Sequence, residues 1–307
     1  MRRRVSLVAR VVFGAGGLAF LVVAFAQTWD RGSDVVVPPW WRLLAALVCI
    51  TLAMSLAYRG WAALFPGVRS RPLAAGFFVA QLGKYVPGAV WQAVGQVGYA
   101  ARGEVTVPRA ATAFVVFSLT QAAAGAVVGA TVAVAVPGLA WWVRVAALAA
   151  VLLVVLLDRR WMIWAIGVYR RRRPGAEPVE GLVPAQRAIL VSCGWSIGVM
   201  LAMGATFVAL IGGLEARVPV HAAVPAYALA WTAGFLAVPF PSGVGVREAV
   251  LIMVLGPTTG TAPLIAASVY FRLAQMVAEV LLIVATGGWR QRLAARVGGP
   301  PAVADDA

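Results

Sequence analysis

Charge is scarce in this chain. Only 12% of its residues are Asp, Glu, Lys or Arg, against about 25% in soluble domains, and this excludes an ordinary water-soluble globule. Cysteine is almost absent: Cys49 and Cys193 both fall inside apolar runs, which argues against a disulfide framework or a cysteine metal site. The one histidine, His221, lies near a loop and suits a solvated position. Acidic residues number 11 against 26 cationic ones, a net charge of +15. The arginines, however, stand in short clusters between apolar runs, where they act as topology signals facing anionic lipid rather than as a nucleic-acid surface. Catalytic signatures are also missing. There is no phosphate-binding Gly-rich loop ending in Lys-Ser/Thr, no His-Glu-x-x-His and no nucleophile beside a base. The expectation is a protein without enzymatic activity, cofactor, metal or nucleic-acid partner.

What is plentiful is apolar length. Hydrophobic residues make up 62% of 307 positions and the mean hydropathy is +0.88, so the chain is a polytopic membrane protein. At about 20 residues per crossing it accommodates roughly six to eight membrane elements and little else. Full-length spans are expected near 5–26, 41–58, 110–136, 139–157, 186–212 and 261–287. The start, Met1-Arg2-Arg3-Arg4 before an apolar run ending Ala24-Phe25-Ala26-Gln27, imitates a signal peptide. The run is too long for a signal core and is read as an uncleaved first helix. Residues 1–297 are expected to form one transmembrane domain and 298–307 a disordered tail.

Two further apolar stretches, 72–100 and 222–256, are broken by Pro and Gly next to charge: Gly83-Lys84-Tyr85-Val86-Pro87-Gly88, and Pro239-Phe240-Pro241-Ser242-Gly243-Val244-Gly245-Val246-Arg247-Glu248. Unwound backbone and charge at membrane depth are tolerated only where they line an enclosed polar cavity. Treating both stretches as re-entrant helical hairpins sorts the arginines. Most fall on the cytoplasmic side, including the Arg170–Arg173 cluster, and only Arg31, Arg42, Arg144 and Arg217 fall outside. A single crossing by the first stretch would move that cluster outside, against the positive-inside rule. The predicted fold class is therefore an all-α polytopic membrane protein with six full spans and two opposed hairpins, both termini cytoplasmic. No internal sequence repeat is evident.

The last span carries Ser268, Arg272, Gln275 and Glu279 on one helical face, which must look into the bundle. An Arg or Asp near a span centre costs about 2.5–3.5 kcal/mol on insertion scales, so such residues need partners or a task. One alternative is a structural lock in which Arg272 pairs with Glu248 or Glu279. Lys84, the single lysine of the chain, sits at the first break beside Tyr85, and Gln92, Gln96 and Tyr99 follow on one helical face. Those glutamines either serve the site or merely tie helices together. Short helices starting near Gly88 and Gly245 would aim backbone N–H groups at the midplane, where Lys84, Arg247 and Arg272 add full charges. A lipid phosphate fits that arrangement, with Glu248 and Glu279 holding the cations when it is absent. Pro87, Gly88, Pro241, Gly243 and Gly245 are the expected helix breaks. A Gly125-x-x-x-Gly129 pattern is a possible packing seam, although a chain this rich in small residues produces it by chance.

These two broken segments resemble the lysylphosphatidylglycerol synthase transmembrane family, the flippase-like module of multiple peptide resistance factors. Gly83-Lys84-Tyr85-Val86-Pro87-Gly88 with Trp91 is similar to its first signature. Pro239-x-Pro241-Ser242-Gly243-x-Gly245-Val246-Arg247-Glu248-Ala249, followed by Arg272, is similar to its second. The resemblance implies translocation of a phosphate-containing lipid, either a phospholipid or a polyprenyl-phosphate-linked sugar, between leaflets of the plasma membrane. It makes Lys84, Arg247 and Arg272 the phosphate-binding candidates, supported by Tyr85, Gln92, Glu248, Gln275 and Glu279. Ser242 stands where the family usually has Gly, and Ser118-Leu119-Thr120-Gln121 where an acidic–basic pair is expected. The family's soluble aminoacyl-transferase domain has no counterpart here. Two rival functions remain open: a non-translocating accessory subunit or enzyme that presents a lipid carrier to a glycosyltransferase, and an ion-coupled transporter of small solutes. No motif fixes an oligomeric state.

Overall fold

The computed structural model describes residues 37–68, 71–85, 91–101, 105–170, 181–214, 218–237, 243 and 245–287. The expected first span (5–26), the tail from 298, and the helix breaks Pro87, Gly88 and Pro241 lie outside these residues. All regular structure among the described residues is helical. We number the helices α1 (Trp40–Ala63), α2 (Arg71–Gln81), α3 (Trp91–Ala100), α4 (Val107–Ala130, continued by Val132–Ala135), α5 (Trp141–Ala150), α6 (Arg159–Arg170), α7 (Gln186–Ile211), α8 (Val220–Leu236), α9 (Val246–Thr259) and α10 (Thr261–Ala285).

Four segments are long and apolar enough to cross a membrane: Trp40–Ala63, Val107–Ala135, Gln186–Leu214 and Thr261–Ala285. They coincide with four of the expected spans. The expected span at 139–157 is present in a different form, as the first arm of a bent pair in which Trp141–Leu157 meets Arg159–Val168 at 77°. The bend has a local cause. Asp158 is extended (ψ 122°) and its Oδ1 accepts the Arg160 N–H at 2.8 Å, the usual way an Asp starts a new helix. Gln186 fixes the corner from the far side. Its Oε1 accepts the Arg159 N–H at 2.8 Å while its Nε2 donates to the Leu157 carbonyl at 3.3 Å. With this pair counted as one, the described residues contain up to five spans, and six are not reached among them.

α7 packs along α1, α4, α8 and α10, and α4 in turn contacts α3 and α8. Small residues allow these approaches, as expected where lipid removes the hydrophobic drive between helices. The Gly125-x-x-x-Gly129 pattern is a real seam. A Cβ on Gly129 would stand 2.8 Å from the Leu229 backbone nitrogen, and one on Gly125 would strike the Thr232 hydroxyl of the same facing helix, α8. The aromatic rings of Trp61, Phe65, Phe77 and Phe117 interlock edge-on or tilted and tie α1, α2 and α4 together.

Both broken stretches fold back on themselves. In the first, Gly76 lies against Tyr99, Ala80 against Gly95 and Gly83 against Gln92. The partner number falls as the residue number rises, so α2 and α3 are antiparallel arms joined through the 3-10 turn Leu82–Tyr85. At about 1.5 Å per residue the arms are only about 16 and 15 Å long, half of a hydrocarbon core of about 30 Å. In the second, α8 and α9 pack together. Gly243 (φ +65°) and Gly245 (φ +83°) occupy the left-handed region that only Gly enters cheaply. Gly243 also approaches so closely that a Cβ there would lie 2.7 Å from the Gly234 Cα. The last helix, α10, touches both hairpins, α2 of the first and α9 of the second, and this contact positions the site.

Candidate functional site

The inward face of α10 is as its spacing requires. Ser268 and Glu279 are buried, and Arg272 and Gln275 are half-buried. Ser268 returns its hydroxyl to the Leu264 carbonyl of its own helix at 2.9 Å and plays no part in the charge cluster. Of the other residues of this face, Glu279 and Arg272 meet the two hairpin ends.

From the first hairpin, Lys84 donates from Nζ to Glu279 Oε1. The glutamate side chain is fully enclosed and the lysine is 16% exposed. The Tyr85 ring centroid lies 5.1 Å from the same ammonium, and the tyrosine hydroxyl is close enough to interact with Glu279. From the second hairpin, Glu248 works in two directions. Its Oε1 accepts from Arg272 Nη2 at 2.7 Å, and its Oε2 accepts the Gly245 N–H at 2.8 Å. The expectation of free N–H groups at the start of this helix is thus corrected at Gly245, where the protein's own carboxylate takes the position of an anion.

Arg247 is the exception in this cluster. Its stem fills the space left by Gly234, with Cγ 2.7 Å from where a Cβ would sit, and its guanidinium carbon stands 5.8 Å from the Trp231 ring centroid. It lies within electrostatic reach of Tyr85, Tyr227, Glu248 and Arg272, and Lys84 in turn feels Arg247 and Arg272. Yet Arg247 forms no ion pair among the described residues, and its Nε is buried without a hydrogen-bond partner. An unsatisfied buried donor costs about 1–3 kcal/mol, more for a charged group, so this guanidinium is poised for an acceptor that none of the described residues provides.

Lys84, Tyr85, Arg247, Glu248, Arg272 and Glu279 are therefore neighbours, although the chain separates the first from the last by 195 positions. Gln92 is turned elsewhere: its Nε2 donates to Gln81 Oε1 at 3.0 Å across the hairpin. Tyr99 packs on Gly76, and Gln96 is buried with neither amide atom bonded among the described residues. Their common face is the seam between the hairpin arms. Ser118-Leu119-Thr120-Gln121 forms no ion pair either. Thr120 sits 3.2 Å from the Ser192 hydroxyl and accepts from Ser196 at 3.4 Å, an uncharged link between α4 and α7.

Two members of the site carry no signal in the sequence. Trp231 and Tyr227, four apart on α8, belong to an almost uniformly apolar helix in which no residue stands out. Trp231 supports Arg247, while Tyr227 stacks on Phe271 of α10 with ring centroids 4.8 Å apart. The buried Tyr227 hydroxyl has no partner among the described residues, which adds a second unfilled polar group beside Arg247.

Compared with known proteins, the chain matches the family model of the lysylphosphatidylglycerol synthase TM region over residues 7–283. No curated protein matches it.

Proposed function

The chain belongs to the lysylphosphatidylglycerol synthase TM family, and from that premise we propose that it is a flippase-like transporter that moves a phosphate-containing lipid between leaflets of the plasma membrane. The observation that carries this reading is Arg247, the cation that among the described residues is left without a carboxylate where two charged hairpin ends meet a charged helix face. A lipid phosphate entering from the side would supply acceptors to Arg247 and compete for Arg272 and Lys84, which Glu248 and Glu279 hold in its absence. Acyl or prenyl tails remain in the hydrocarbon throughout.

In this reading both broken stretches re-enter, and from opposite faces, because that arrangement keeps most arginines on the cytoplasmic side; the arms of the first, α2 and α3, are each only about half a hydrocarbon core long. The first span at 5–26 and the segment Trp141–Leu157 complete six crossings, with both termini cytoplasmic. Trp141–Leu157 is long enough alone. Its ten α-helical and seven 3-10 residues extend about 29 Å at roughly 1.5 and 2.0 Å per residue, and the half-exposed Trp161 and Trp164 on α6 then lie in the interface that such residues favour.

Leaflet exchange of a fluorescent phospholipid in reconstituted vesicles tests the proposal. Arg247→Ala and Arg272→Ala are each expected to abolish exchange in protein that still folds. Turnover of the lipid without exchange would make the protein an enzyme or carrier-presenting subunit, and flux of a water-soluble solute would make it a solute transporter.

A further inference from the structure

The charges of this cluster count to a definite sum. Lys84, Arg247 and Arg272 are cations, and Glu248 and Glu279 are carboxylates. Asp158 is the other acidic residue among those described, and it caps α6 at the bent corner. Among the described residues the cluster therefore carries one net positive charge, and it is localised: two cations are neutralised by contact, and the third stands over Trp231 with a buried Nε that none of these residues bonds. In a weakly polar enclosure an uncompensated unit charge costs several times more than in water. Occupancy is most favourable when the entering group cancels the excess and adds none.

Resting on the lipid reading above, we propose that Glu248 and Glu279 set the charge that the pocket accepts and restrict it to phosphodiesters, whose phosphate carries a single negative charge. Phosphomonoester and diphosphate lipids bring further charge and leave the pocket negative. Among the two open cargo classes this admits glycerophosphodiester lipids and sugars linked to a polyprenyl monophosphate, and it disfavours carriers linked through diphosphate. The two glutamates are specificity-determining residues in addition to being ion-pair partners. Removal of either carboxylate leaves a second unpaired cation, which suits a dianion.

The test is competition between phosphatidylglycerol, a diester, and phosphatidic acid, a monoester, with identical chains. Both are offered to the detergent-purified full chain at pH 8.5, well above the second phosphate pKa of about 6, and retained lipid is weighed by native mass spectrometry. The wild-type protein is expected to retain the diester over the monoester by about tenfold or more, and Glu279→Gln to erase or reverse that preference. Glu248→Gln is the second variant should Glu279→Gln not fold, and it is expected to shift the preference in the same direction. Equal retention of both lipids by wild-type protein, with both lost in Arg247→Ala, overturns the charge rule and leaves the lipid-phosphate reading standing. Retention of neither lipid removes both. Displacement of bound lipid by soluble glycerophosphoglycerol would keep the charge rule and refute a lipid as the necessary ligand.

Discussion

Breaking the Lys84–Glu279 pair separates a structural lock from a working site. Glu279 is fully buried and Lys84 is 16% exposed, and Arg272 is already held by Glu248, so Arg272 is not free to take the place of the lysine. Lys84→Met leaves a buried carboxylate with the Tyr85 hydroxyl beside it but without its paired cation, and Glu279→Leu leaves an ammonium facing Arg247 and Arg272. Each single change is expected to destabilise the protein by about 3–5 kcal/mol, as for other broken buried pairs, whereas apolar replacement of both partners ranges from neutral to stabilising by about 1–4 kcal/mol. The double variant Lys84→Met/Glu279→Leu should therefore regain the stability that either single variant loses, giving a coupling of about 3 kcal/mol or more. Denaturant unfolding in micelles measures the stabilities, and the exchange assay is run on the double variant. A lock predicts a stable and fully active double variant, and the transport account predicts a stable and inactive one. Single variants that unfold like wild type, or losses that simply add, would refute the reasoning about the pair.

The seam between α4 and α8 distinguishes its two glycines. Gly129→Ala meets backbone at Leu229 and is expected to lower thermal stability by about 1–3 kcal/mol, while Gly125→Ala meets a threonine side chain and should cost less. At the second hairpin, Gly243→Val combines a positive φ with contact against Gly234. It should cost about 1–3 kcal/mol for the backbone alone and weaken lipid retention through displaced Arg247, read as lost exchange in protein that remains monodisperse. Gln92→Leu, which loses only the Gln81 bond, should change stability by about 0.6 kcal/mol and leave exchange intact. Single cysteines placed in 103–107 and in 175–180 should label from the cytoplasmic face only, and external labelling of either would break the two-hairpin topology.

Much of this architecture was legible because membrane burial makes composition and spacing decisive. The inward face of α10 followed from helical spacing, and the two charged breaks from Pro and Gly beside charge, since a charge inside an apolar run has few permitted places. The corner at Asp158 was not foreseen. It depends on Gln186, which accepts from the Arg159 N–H across 27 positions, and no local pattern announces that contact. Nor could spacing decide which cation lacks a partner. Arg272 could have paired with either glutamate, and only the fold shows Glu248 taken by Arg272 and Glu279 by Lys84. Gln92 lies on the same helical face as Gln96 and Tyr99, yet that face closes the hairpin on itself, because Gly76, Gly83 and Gly95 bring the two arms into contact. Trp231 is invisible in an apolar helix until Arg247 is found above it.

The central claim is that a lipid phosphate sits against Arg247 between the hairpin ends. Its most direct measurement is the lipid that stays with the protein through purification, compared between wild type and Arg247→Ala by native mass spectrometry. The account predicts a retained phosphodiester lipid that is lost in Arg247→Ala and kept in Gln92→Leu. Equal retention in wild type and Arg247→Ala would contradict it.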